Sequence, residues 1–118
     1  MQTESYAHFS ELMHRKVVQQ RIPVTATLEV SRRCPLDCAH CYNNLAMDDA
    51  AARASELSFE EIRGILGQMS EAGVLWLLLT GGEIFARHDF LDIYRYAKRQ
   101  GFLITLFTNG TMITEPVA

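Results

Sequence analysis

The run Val74-Leu75-Trp76-Leu77-Leu78-Leu79-Thr80 is apolar almost throughout and does not alternate with polar positions. A strand with one wet face alternates, so this run reads as a strand of a parallel sheet covered on both faces. A buried helix is the rival reading. Gly73 and Gly81 enclose the run and hold it to strand length, which favours the strand.

The segments on either side have the grammar of helices. Ser58-Phe59-Glu60-Glu61 is a capping box, its serine facing the first-turn amides and its last glutamate reaching back. Phe59, Ile62, Ile65, Leu66 and Met69 then make the buried stripe of a helix that Gly73 stops. Gly64 and Gly67 each weaken that helix by about 1 kcal/mol relative to alanine, and close approach to a sheet is the expected return. Asp89 to Gln100 repeats the pattern, with Asp89 as cap, Phe90, Ile93, Tyr94 and Ala97 facing inward, and Gly101 closing it. Lys98 and Arg99 suit its C-terminal dipole.

Phe102 to Phe107 is a third strand, and Thr108-Asn109-Gly110 marks its end. Asn-Gly also favours a hairpin into Thr111-Met112-Ile113, but helix-separated strands before it favour a βα unit. Thr114 reads as the cap of a further helix. The first strand is the β-branched stretch Val24 to Val30, bounded by Pro23 and Ser31, in which Glu29 is an outward or hydrogen-bonded polar residue. Before it, Tyr6, Phe9, Leu12, Met13 and Val17 recur at helical steps over Tyr6 to Gln20, a helix expected to pack by that stripe while Glu11, His14, Arg15 and Lys16 stay solvated. Residues 43–57 lack clear periodicity and read as a loop with one helical turn. The fold class is therefore α/β, parallel βα units preceded by an N-terminal helix.

In such sheets reactive groups gather on loops leaving the strand C-termini. The first exit carries all three cysteines of the chain, in Cys34-Pro35-Leu36-Asp37-Cys38-Ala39-His40-Cys41. That is a metal-ligand spacing, and an iron–sulfur cluster held by cysteine sulfurs is the favoured reading. A four-iron cluster on three cysteines leaves one iron without a protein sulfur, a coordination position open to a reactant. A disulfide would strand the third cysteine, and Met1 to Lys16 has no apolar core of a secretory segment to suggest an oxidising compartment. Zinc bound by the three sulfurs with His40 or a distant histidine stays open, although structural zinc sites usually use paired C-x2-C knuckles. The second exit carries Gly81-Gly82-Glu83, where bare glycines let a ligand reach the backbone and Glu83 offers an acceptor to a cationic group such as an ammonium. A double glycine alone is usually just a turn.

With 118 residues, 48% hydrophobic and 21% charged, the chain can build one modest core. A net charge of -3 gives no basic field for nucleic acid or an anionic membrane. The longest apolar run is far too short to span a bilayer. Unpaired thiols fit a reducing cytoplasm.

Together these motifs resemble the radical S-adenosylmethionine superfamily over roughly Val24 to Thr114. Cys34, Cys38 and Cys41 match its C-x3-C-x2-C signature, with His40 where an aromatic is usual. Gly81-Gly82-Glu83 matches its second-strand motif, and Thr108-Asn109-Gly110 one often seen after the third. The resemblance implies a four-iron, four-sulfur cluster on the three cysteines and S-adenosylmethionine chelating the remaining iron. Glu83 and the Gly81 and Gly82 backbone would hold the methionyl amine, the His40 backbone would meet the adenine, and Thr108 and Asn109 would also border the cofactor. It further implies reductive cleavage of S-adenosylmethionine to a 5′-deoxyadenosyl radical that abstracts hydrogen, with a flavodoxin- or ferredoxin-type protein as electron donor. Ile84 stands where proline is common in the family. The family barrel has six βα units and three strands are legible, so residues 1–22 read as a helical extension and residues 23–118 as the N-terminal half of a partial TIM-like (β/α)6 core. The third strand would then be an open apolar edge. The detailed likeness is greatest to members with a SPASM-type C-terminal extension, which implies a peptide substrate, with cofactor biosynthesis close behind. A non-catalytic iron–sulfur electron carrier and a zinc-stabilised module are the rival classes.

Overall fold

A computed structural model describes residues 5–43 and 45–115. Its elements run α1 (Tyr6–Gln20), β1 (Thr25–Ser31), α2 (Ala50–Ala54), α3 (Phe59–Ala72), β2 (Trp76–Gly81), a 3-10 turn (Ile84–Ala86), α4 (Phe90–Arg99) and β3 (Leu103–Leu106). The strands form one parallel sheet in the order β1-β2-β3. Parallel pairing continues past β3, where the Phe107 N–H donates to Leu79 O at 3.0 Å, and this removes the hairpin alternative. The helix expected after Thr114 falls largely on residues 116–118, outside the described ones.

α3 begins on the complete capping box of Ser58 and Glu61 and stops at Gly73, whose φ is 99°. The core lies between the sheet and the two long crossover helices: Val30, Leu77 and Leu79 meet Ile62 and Leu66 of α3 and Phe90, Ile93 and Ala97 of α4, with Ile84 and Phe102 sealing the ends. Successive right-handed crossovers put both helices on the same side of the sheet. The opposite face is open. Trp76 is 49% and Leu103 50% exposed there, beside exposed Thr25, Thr27 and Glu29. The expectation that β2 is covered on both faces is thus met on one face only, because these two crossovers cover a single layer.

Three more expectations are corrected. α1 forms where expected, capped by Ser5 and ended by left-handed Arg21, but it buries no residue, and Phe9 and Leu12 stay exposed. Gly64 and Gly67 do not serve close approach: a Cβ at either would meet nothing within 4 Å. Asp89 sits at the start of α4 without making a side-chain cap, because both of its carboxylate oxygens accept from Arg87, at 2.9 and 2.8 Å.

Candidate active site at the strand exits

The ends of the three strands meet on one rim. Beyond an irregularity between Glu29 and Ser31, the Gly82 N–H donates to Ser31 O and the Glu83 N–H to Arg33 O, both at 2.8 Å. The pairing is so close that side chains cannot enter it. A Cβ at Gly81, whose φ is 148°, would sit 2.1 Å from Ser31 O, and one at Gly82 2.6 Å from Arg33 O. The double glycine therefore answers to the neighbouring main chain.

Glu83 is fully buried. Its Oε1 accepts from the Phe85 N–H at 3.0 Å and the Thr108 hydroxyl at 2.8 Å, and its Oε2 from the same hydroxyl at 2.9 Å and the Asn109 N–H at 2.9 Å. A carboxylate has about four acceptor positions, and three donors of this chain fall on them, the single Thr108 hydroxyl being shared between the two oxygens. The side chain read from sequence as an acceptor for an external cation thus ties the second strand exit to the third.

Asn109 carries the connection onward. Its Oδ1 accepts from the Thr111 N–H at 2.9 Å and the Thr111 hydroxyl at 2.6 Å, an Asx turn, and its Nδ2 donates to Cys34 Sγ at 3.4 Å. The cysteine segment is anchored at its base, where the Cys34 N–H donates to Leu45 O at 2.8 Å and the Leu45 N–H to Arg32 O at 3.2 Å. Within the loop the Cys41 N–H donates to Cys38 O at 3.0 Å, and the Asn43 N–H donates to Cys41 Sγ at 3.4 Å.

All three cysteines are free thiols; Cys34 is half-buried, and Cys38, Cys41 and His40 are exposed. Among the described residues no three His, Cys, Asp or Glu side chains are gathered closely enough to hold a metal ion. The donor set nonetheless suits an iron–sulfur cluster. The sulfurs are unoxidised, Cys34 and Cys41 already receive N–H donors, and buried Asn43 keeps an unpartnered Nδ2 beside the loop. A cleft of about 480 Å³ runs along it, lined by Cys34, Leu36, Asp37, Leu45 and Met47.

Two buried arginines brace this rim, and the sequence reading did not single them out. Arg33 donates to both Glu56 oxygens, at 2.8 and 3.1 Å, and to Ala86 O at 3.0 Å. Arg87 donates to Leu57 O at 2.8 Å and Val30 O at 3.2 Å besides its pair with Asp89. Burial pushes the Glu56 carboxyl up, but hydrogen bonds from Arg33 and Ser31 and the two arginine charges outweigh it and hold it below the ordinary range. The Arg87 hydrogen bonds likewise lower Asp89 against its burial. The available signal was weak: Arg33 is the second of two arginines after β1, and only a buried one must find a partner. On the open face exposed Glu29 accepts from the Tyr42 hydroxyl at 2.8 Å, and that hydrogen bond, with the glutamate charge, raises the phenol above its usual range.

A cysteine loop, a glycine-glutamate turn and a Thr-Asn-Gly turn on successive parallel strand exits define a site class that sequence comparison identifies. Residues 28–118 match the model of the Radical SAM superfamily, and the chain belongs to that superfamily. It is similar to the PqqA peptide cyclase of Rhizobium meliloti, with 39% identity over 93 residues, 79% of this chain and 24% of that protein. The PqqA peptide cyclases of Bradyrhizobium diazoefficiens and Streptomyces rochei share 33% over 94 residues and 37% over 92, covering 80% and 78% of this chain and 24% of each relative. The chain spans about a quarter of the length of these curated relatives.

Proposed function

We propose that this chain is the cluster-bearing N-terminal half, residues 23–118, of a peptide-modifying radical S-adenosylmethionine enzyme, with residues 1–22 as a helical extension. The observation that carries the reading is the convergence of Cys34, Glu83 and Asn109, from three strand exits, through hydrogen bonds onto one rim. Cys34, Cys38 and Cys41 would hold a [4Fe-4S] cluster whose remaining iron takes S-adenosylmethionine. Bound there, the two cofactors supply reductive carbon–sulfur cleavage and a radical able to abstract hydrogen.

The chain's own residues then position the cofactor and limit water. With the Glu83 carboxylate engaged by Thr108 and Asn109, the methionyl amine would fall to main-chain oxygens of the Gly81–Gly82 turn, and exposed His40 would border the adenine through its backbone. The open face would become the inner wall of a (β/α)6 barrel, where side chains from several strands fill the interior. A peptide substrate fits the peptide cyclases to which the chain is similar, and the SPASM-type extension proposed for the full-length protein follows the likeness read from the sequence. A flavodoxin- or ferredoxin-type protein in the cytoplasm is the proposed electron source. No described helix is long and apolar enough to cross a membrane.

Anaerobic reconstitution with iron and sulfide tests the reading. Iron and acid-labile sulfide in matching amounts are expected, together with slow or no release of 5′-deoxyadenosine by the 118-residue chain alone, since its three strands would make only half of the proposed barrel. Zinc without sulfide would refute the cluster. Turnover at the rate of a full-length enzyme would refute the half-domain assignment.

A further inference from the structure

We propose that Asn109 is a positioning residue that sets how readily the cluster accepts an electron, through its hydrogen bond to Cys34, and that Glu83 serves this contact. The inference rests on the cluster reading above. Cys34 and Asn109 lie 75 positions apart in sequence, yet Nδ2 and Sγ are 3.4 Å apart. The amide can only present its nitrogen to the sulfur, because its oxygen already closes the Asx turn on Thr111. Its main chain is fixed as well, by the Asn109 N–H on Glu83 Oε2. The acceptor is equally settled, since the Cys34 main chain is tied to Leu45. Cys38 and Cys41, by contrast, lie on the exposed part of the loop.

One-electron reduction adds negative charge that spreads onto the cluster sulfurs, and N–H donors to those sulfurs favour the charged form. A donor fixed in advance stabilises the reduced state without reorganising. Asn109 thereby raises the midpoint potential, and Glu83 keeps the donor aimed.

Midpoint potentials of the reconstituted protein, followed by the paramagnetic signal of the reduced cluster, test this on Asn109→Ala, Asn109→Asp and Glu83→Gln. Asn109→Ala is expected to shift the reduction equilibrium about tenfold toward the oxidised form, ~59 mV for one electron. Asn109→Asp keeps an oxygen for the Asx turn, so it guards against misfolding, and by replacing the donor with a negative charge it shifts the equilibrium further the same way. Glu83→Gln lowers the potential too, and adding it to Asn109→Ala brings less than the sum of the separate shifts. Full iron and sulfide with an unchanged potential in Asn109→Asp overturns the inference and leaves the cluster reading standing. A wild-type protein that assembles no iron and sulfide overturns both.

Discussion

Glycine has opposite effects at two places in this chain. At Gly82 an added methyl would strike Arg33 O and Arg32 O, at 2.6 and 2.7 Å, and main-chain atoms cannot step aside cheaply. Gly82→Ala is expected to cost about 1–3 kcal/mol in chemical denaturation, as overpacking does. Gly64 faces open space on α3, so Gly64→Ala is expected to add roughly 1 kcal/mol by helix propensity alone. Sequence shows both as glycine and cannot say which has a neighbour; only the parallel pairing of β1 with β2 separates them. The buried ion pair Arg33–Glu56 is the second residue-scale lesson. The Glu56 carboxyl has a lower pKa folded than unfolded, so its contribution is fully present above the unfolded value of about 4.3 and is lost as pH falls through the folded one. Urea midpoints measured from pH 7 downward should therefore hold until about pH 4 and then drop, and Glu56→Gln should be weaker at pH 7 and lose less of its stability in that acid window.

Among the elements, α3 and α1 show what periodicity reveals and what it leaves out. Both helices were legible to within a residue, because caps and stops are local chemistry: Ser58 with Glu61 and Gly73 in one, the turn before Pro23 in the other. What each helix packs against is not local. Leu66 is wholly buried against the sheet while Leu12, equally periodic, is 44% exposed. Leu66→Ala is expected to cost about 2–5 kcal/mol and Leu12→Ala less than about 0.5 kcal/mol, a contrast that thermal or urea unfolding reads directly. The same distinction explains Asp89. Its position before α4 identified a cap, but Arg87, two residues away, takes both oxygens.

At the scale of the whole molecule, the parallel βα units and the position of the cysteine, glycine-glutamate and Thr-Asn-Gly motifs after the three strands were legible, since each motif follows a β-branched or apolar run bounded by turn residues. How those motifs engage one another was not: the Glu83 contacts with Thr108 and Asn109 depend on parallel register rather than spacing. Nor was the open face, because Val74 to Thr80 is apolar on both sides of the strand while the helices cover one. The single tryptophan, Trp76, reports on that face. Acrylamide should quench it strongly in this chain and weakly in a longer protein whose further strands close the barrel; equal quenching in both would argue that the face stays open. The central claim, however, is that three sulfurs on the first strand exit hold a cluster with one iron free for S-adenosylmethionine. The most direct measurement is the paramagnetic spectrum of the reduced, reconstituted protein before and after S-adenosylmethionine is added. A changed spectrum is predicted, because on the proposed function the nucleoside's amino-acid end would ligate the cluster; an identical spectrum, with the cluster intact, would contradict the account.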